Sequence, residues 1–299
     1  MAGHVVLAVA ATLLLAAQPN RSPSPISLAA GEAVRPGQGT VATSPGGRAR
    51  YTEELQAGEA AFAGREDPAL LTAAIGRFSA ATALQPGDPA ALLSLARAQA
   101  FRAQATREAA RDSWREASRA AEQALRTAAP AFAEAVDRGE DPGRAATKVD
   151  RAGAAPLYWF ALATMGMAQA RGMVAVLAVK DAARAMMERA AALDERVDFA
   201  GPRRALGAWL ATLPSAAGGG AGAARSQFER AHSLFPEYQL ARVRDAEILA
   251  VLLQDRKRFE AYLGEVLAFD DARAPAIGPE NRLAKRLARE LLLRKERLF

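Results

Sequence analysis

The 299-residue chain contains no cysteine and only two histidines. The absence of cysteine excludes disulfides, thiolate zinc sites, iron–sulfur clusters and thiol nucleophiles together. It does not fix the compartment, because a chain this long can build a core without covalent staples. His4 falls in an apolar N-terminal run, which leaves His232 as the one histidine available for chemistry. A histidine metal site or a Ser/His/Asp relay therefore lacks material. His232 reads as a solvated residue on a helix surface. Aromatic residues make up only 6% of the chain, while alanine is abundant. That balance disfavours a β-sandwich and favours helices.

The charge is strongly basic, at +6 from 39 Lys+Arg and 33 Asp+Glu. Nucleic acid is nevertheless a poor reading. Acidic and basic residues alternate at helical spacing, as in Arg184–Glu188–Arg189 and Arg225–Glu229–Arg230, which describes a solvated helix face. The densest basic stretch, from Arg282 to Arg297, has no aromatic residues interleaved for base stacking.

Residues Val5 to Ala17 form an apolar run with the length of a signal-peptide core, too short to span a bilayer. The run ends Leu15-Ala16-Ala17-Gln18, a lipoprotein-like cleavage box with Gln18 where the lipidated cysteine would stand. Residues 1–18 thus read as an export signal without a lipid anchor, with an uncleaved inner-membrane tether as the alternative. Residues 19–50, with Pro19, Pro23, Pro25, Pro36 and Pro45 among glycines and serines, read as a disordered linker. Residues 51–299 read as one helical domain.

Across that domain apolar residues recur at three and four positions, and proline and glycine fall between helical blocks. The fold class expected is all-α, a tetratricopeptide-like array of antiparallel helix pairs forming a compact superhelix. The signature is Ala74, Phe78, Ala81 and Pro86, repeated as Ala224, Phe228, Ala231 and Pro236 with the same spacing. Ala183, Met187 and Ala190 repeat it a third time without the proline. The alanines let helices approach, and the large knob is expected to fill the gap between neighbouring pairs.

Gly218-Gly219-Gly220 precedes a helix but lacks the preceding strand and the Lys-Ser/Thr of a phosphate loop. It reads as a tight turn needing positive φ. All methionines after Met1 lie between Met165 and Met187, just behind Leu157-Tyr158-Trp159-Phe160. Residues 156–179 are nearly all apolar, yet Gly166, Gln169, Arg171 and Gly172 make a poor membrane span. This hairpin reads either as central core or as the lining of an apolar cavity, and the two readings can coexist. The carboxylate pairs Asp270-Asp271 and Glu53-Glu54 read as helix-end and solvated groups rather than acid/base dyads.

The second half resembles a known family, the T component of TPR-associated TRAP transporters (TatT). The resemblance runs through Leu157-Tyr158-Trp159-Phe160-Ala161, Glu188-Arg189-Ala190, Leu193-Asp194, Gly201 and Arg204 to Leu206-Gly207. It continues through Pro214, Gly218-Gly219, Ala224-Arg225, Phe228-Glu229-Arg230-Ala231, Ala246-Glu247 and Gln254-Asp255-Arg256. It ends with Phe259, Leu263, Glu265-Val266-Leu267, Asn281, Ala284, Ala288, Leu291-Leu292 and Leu298-Phe299. Gly220 departs from the family's acidic or amide residue, so an N-cap contact is expected to be missing. Gln18 departs from its frequent lipoprotein anchor.

The resemblance implies a non-enzymatic periplasmic helical-repeat adaptor, a homo-oligomer (a trimer) that meets the transporter's solute-binding protein. It also implies an apolar channel through each protomer, which would hold a hydrophobic or amphipathic small molecule. No cofactor or metal is implied. Candidate lining residues are Tyr158, Trp159, Met165, Met173, Arg203, Arg204 and Leu206, with Arg203 or Arg204 able to meet a carboxylate. The alternative function is a generic envelope scaffold whose concave surface binds peptides or protein partners.

Overall fold

The computed structural model describes residues 44–106 and 108–299, and every regular element among them is helical. The signal and most of the linker read from the sequence lie outside the described residues. The helices in chain order are α1 Pro45–Phe62, α2 Pro68–Leu84, α3 Pro89–Ala105, α4 Ala110–Ala128, α5 Pro130–Asp137 and α6 Pro142–Ala145. They continue with α7 Ala154–Arg171, α8 Met173–Leu193, α9 Val197–Thr212, α10 Ala221–Leu234 and α11 Gln239–Arg244. The last are α12 Arg256–Ala268, α13 Gly278–Leu293 and α14 Lys295–Leu298. A π-helical turn, Asp245–Ala250, extends α11.

The first helix begins at Pro45, inside the segment read as linker. The reason is a start signal that the glycines beside it conceal. The Ser44 hydroxyl accepts from the Gly47 amide, and Pro45 occupies the first helical turn. Aspartate does the same before proline at α2, α3 and α6, where Asp67, Asp88 and Asp141 accept from amides of the first turn. A proline there gives up no intrahelical bond, and the cap satisfies an otherwise orphan donor.

Successive helices pack as pairs: α1 with α2, α3 with α4, α7 with α8, and α9 with α10. The alanines and large residues of the three repeat signatures are all core. Ala74, Phe78, Ala81, Ala183, Met187, Ala190, Ala224 and Phe228 are fully buried, and Ala231 is 1% exposed. Phe78 and Phe228 each pack against a glycine of the first helix of their own pair. A Cβ placed on Gly58 of α1 would lie 2.5 Å from the Phe78 ring of α2, and one on Gly207 of α9 would lie 2.9 Å from Phe228 of α10. In both pairs a glycine of the first helix opens the space that the second helix's ring fills. The sequence pattern of the second helix alone does not show that partner.

The pairs wind into two main cores. One is centred on α7, with Leu157, Tyr158, Ala161 and Trp209 among its buried residues, and takes in α4, α5 and α8. The hairpin's first helix is thus central core, as one reading held. Its second begins exposed: Val174 is 76% accessible and Leu177 43%. The other core joins the two ends of the array, with Phe62, Leu71 and Phe78 from α1–α2 against Tyr238, Phe259, Leu283 and Leu291 from α11–α13. The array therefore closes on itself.

His232 is a correction to the sequence reading. Its side chain is only 13% exposed, its Nε2 lies 3.1 Å from Asp245 Oδ2, and its ring stands between Phe228 and Tyr262. Asp245 is fully buried on the π-helical turn and accepts two hydrogen bonds from the Arg258 guanidinium, at 2.7 and 3.1 Å. The residue that pairs with His232 lies thirteen positions away, so local spacing gives no sign of it.

The glycine turn is as read. Gly218 and Gly220 take φ of 82° and 118°, and Gly220 caps α10 without a side-chain bond. Asp270 caps the short turn after α12, Asp271 pairs with Lys285, and Glu54 pairs with Arg77. No helix among the described residues is long and apolar enough to cross a membrane.

The glycine–phenylalanine contacts make a direct prediction. Gly58→Ala or Gly207→Ala forces the facing ring to move and should cost about 1–3 kcal/mol. Phe78→Ala should cost about 3–5 kcal/mol. Urea unfolding of each variant measures both. Glycine variants as stable as the wild type would contradict this packing.

Candidate functional site

Where the two ends of the array meet, a cavity of about 350 Å³ remains. It lies within the size range of small-molecule sites. Five parts of the chain build it. The end of α1 and the turn after it supply Glu59, Phe62 and Arg65; α3 supplies Arg97 and Phe101. Trp159 comes from α7, and Asp198 and Phe199 from the start of α9. Tyr238, Leu240, Pro275, Pro279, Glu280 and Leu283 close it from the C-terminal side.

The aromatic rings are fixed by one another. Phe62 lies 6.3 Å from both Phe78 and Phe101. Phe199 stacks on Tyr238 at 5.4 Å, with 15° between planes, and meets Phe235 edge-on at 5.5 Å. The guanidinium groups of Arg65 and Arg97 lie 4.6 and 4.4 Å from the centre of the Phe62 ring. Such contacts add cation–π attraction to the ring's apolar burial.

Every formal charge on the lining has an internal partner of opposite sign. Arg65 bonds both carboxylate oxygens of Glu280 and donates to the Phe62 carbonyl at 3.0 Å. Arg97 donates to both oxygens of Glu59, at 2.9 and 2.6 Å. Asp198 is paired with Arg204 at 2.8 Å. The cavity thus presents apolar rings and neutralised ion pairs rather than a free charge.

Behind the lining, the Tyr158 hydroxyl donates to Asp198 Oδ2 at 2.7 Å, and Arg204 donates to the same oxygen and to the Phe199 carbonyl. Gly201 permits this approach, because a Cβ there would lie 2.4 Å from the Tyr158 ring. Burial, reinforced by the Asp198 carboxylate, pushes the Tyr158 phenol well above its ordinary pKa. Burial likewise raises Tyr238. For Arg204, burial acts downward but is outweighed by Tyr238, Tyr158 and Asp198, so its pKa rises.

The candidate residues separate cleanly. Trp159 lines the cavity, and Tyr158 and Arg204 stand one layer behind it. Met165 and Leu206 are buried in the α7-centred core, and Met173 is 38% exposed at the start of α8, outside the cavity. Arg203 bonds Glu195 and Gln227 at the α9–α10 junction. Neither arginine leaves its guanidinium free for a carboxylate in the cavity. The largest share of the lining comes from residues the sequence reading passed over: Phe62, Arg65, Phe101, Phe199, Tyr238 and Glu280. One signal was available for Tyr238, since Phe235-Pro236-Glu237-Tyr238 places two aromatics at a turn where the repeat expects none. The others required knowing that the ends meet.

A second, smaller depression of about 240 Å³ lies beside Arg242, Glu265, Phe269 and Arg273. It is lined mainly by polar groups, with Arg242 paired to Glu265 at 2.9 Å. No group of His, Asp and Glu among the described residues is arranged to hold a metal ion.

The family model for the TRAP transporter T-component matches residues 63–299. That range takes in all the elements lining the cavity except the end of α1. No curated protein matches the chain.

A pH dependence follows from the raised phenols. A tyrosine whose pKa is higher folded than unfolded contributes its full stabilisation below the unfolded value of about 10, and loses it as pH rises through the folded value. Thermal stability should therefore fall above about pH 10, and Tyr158→Phe should flatten that fall relative to wild type. Melting scans from pH 8 to 11 test this, and parallel curves for the two proteins would contradict it.

Proposed function

The chain belongs to the TRAP transporter T-component family, and from that premise we propose that it is an exported, non-enzymatic adaptor. In this reading residues 1–18 direct export, and the helical domain works in the periplasm without a lipid anchor. It meets the transporter's periplasmic solute-binding protein and holds a small apolar or amphipathic molecule between the closed ends of the array. The family resemblance further supports a homo-oligomer, a trimer.

One observation carries the ligand part of this reading. The cavity has the size of a small-molecule site, five aromatic rings stand in its walls, and the charges on it are already paired. Such a site binds by apolar burial and shape, at about 25 cal/mol per Å² of apolar surface removed from water. It has no free cation to attract an anion and no nucleophile beside a general base. An amphipathic ligand would place its polar end at the mouth, where Arg97 and Glu59 remain partly exposed.

Native mass spectrometry on protein purified from cells tests the proposal. The expected spectrum shows protomers carrying a small apolar molecule, and Phe101→Trp, which narrows the cavity, should reduce the fraction that carries it. The purified solute-binding protein should bind in the same buffer. Empty protomers with no affinity for that protein would contradict the reading, and capture of extended peptides instead would favour a general scaffold.

A further inference from the structure

The start of α9 is backbone that its sequence does not favour. Asp198, Phe199 and Ala200 stand in succession at φ of 48°, 54° and 57°, the left-handed region. None is glycine. A single non-glycine residue there costs on the order of 1 kcal/mol, and it persists only where its surroundings over-determine it. Three in a row therefore need strong retaining contacts.

Those contacts are all present, and they converge on one residue pair. The Asp198 carboxylate accepts from the Tyr158 hydroxyl at 2.7 Å and from Arg204 at 2.8 Å. The same guanidinium also bonds the Asp198 and Phe199 carbonyls, so it grips the turn's backbone. It is itself held over the Tyr238 ring at 4.2 Å. Ala200 is fully buried. The consequence is local and specific: the Phe199 ring is delivered onto Tyr238, in the wall of the cavity. With ordinary helical dihedrals at these three residues the chain would leave in another direction, and the ring would not reach Tyr238.

We propose that Tyr158, Asp198 and Arg204 form a latch that holds Phe199 in a strained backbone as a fixed wall of the ligand cavity. Phe199 and Asp198 face the cavity, and Tyr158 and Arg204, one layer behind it, are positioning residues that act through them. This rests on the cavity reading above and adds which residues determine its shape. The strain lies where the Tyr158, Asp198 and Arg204 contacts, together with the Phe199–Tyr238 stack, decide the position of a wall. Removing the latch frees Phe199 without emptying the core beneath it.

The test uses the full chain and a neutral fluorescent probe, N-phenyl-1-naphthylamine. A second readout is the fluorine resonance of 4-fluorophenylalanine introduced at position 199. Asp198→Asn keeps the shape of the side chain and removes its charge. It should weaken probe binding at least about tenfold and shift or split the fluorine resonance, with helical content unchanged. Ala200→Gly relieves strain and leaves the latch intact, so it should raise the melting temperature and leave both binding and resonance as in the wild type. Tyr158→Phe, which lies outside the lining, removes one donor and keeps the ion pair, and should move both readouts in the same direction by a smaller amount. An unmoved resonance in a folded latch variant overturns the latch, whatever the probe does. A moved resonance with unchanged probe affinity also overturns it as a determinant of the site. A wild type that takes up no probe while the latch variants shift the resonance contradicts the ligand reading and leaves the latch standing.

Discussion

Arg65 and Glu280 are separated by 215 residues, yet their side chains are 8% and 13% exposed and joined by paired hydrogen bonds. The site depends on this closure. Helical repeats left to themselves form open superhelices in which each unit touches only its neighbours. Here the first pair and the last helices share a core, with Phe62 and Leu71 against Leu283 and Leu291. Closure turns an array into a container, because a cavity needs a wall on its far side. The chemistry of the pair suits the place. Breaking a desolvated pair by deleting one partner leaves an uncompensated charge and costs about 3–5 kcal/mol. An exposed pair such as Arg119–Glu116, at 63% and 39%, contributes about 0–1 kcal/mol. Of the many ion pairs on this basic protein, the buried ones, Arg65–Glu280 at the seam and Arg258–Asp245 beside His232, are those whose loss should matter.

The same closure explains the character of the cavity. Rings reach it because the places where helix pairs meet at the seam are filled by Phe62, Phe101, Phe199 and Tyr238. Charges reach it because the seam is also where side chains from distant helices come within bonding distance, and each carries its counter-ion with it. A cavity made this way is shaped by tertiary contacts and not by any one motif.

What the sequence disclosed follows from the range of each interaction. Alanines and a knob at helical spacing report contacts within a few residues of one another, so the packed helix pairs could be read directly. The Gly218–Gly220 turn could be read because positive φ leaves few other residues available. Trp159 could be suspected because it stands in an apolar run too rich for a surface. The left-handed turn at Asp198–Ala200 could not, since three non-glycine residues carry no mark of that conformation and owe it to Tyr158, forty positions earlier. His232 looked solvated for the same reason: its neighbours in sequence are small or polar, and the buried Asp245 lies on another helix. The start of α1 was legible in principle from Ser44-Pro45, but adjacent glycines argued against a helix.

The most direct test of closure is intramolecular cross-linking, for which a cysteine-free chain gives a clean background. Glu66 and Arg282 face each other across the seam, paired and at the surface. With both replaced by cysteine, a short bis-maleimide should join them in the folded protein and give a cyclised product of altered mobility. In urea the product should disappear. An open array would give no cyclised product under native conditions while each single cysteine still reacted with the reagent, and that result would contradict a container formed by the meeting of the chain's two ends.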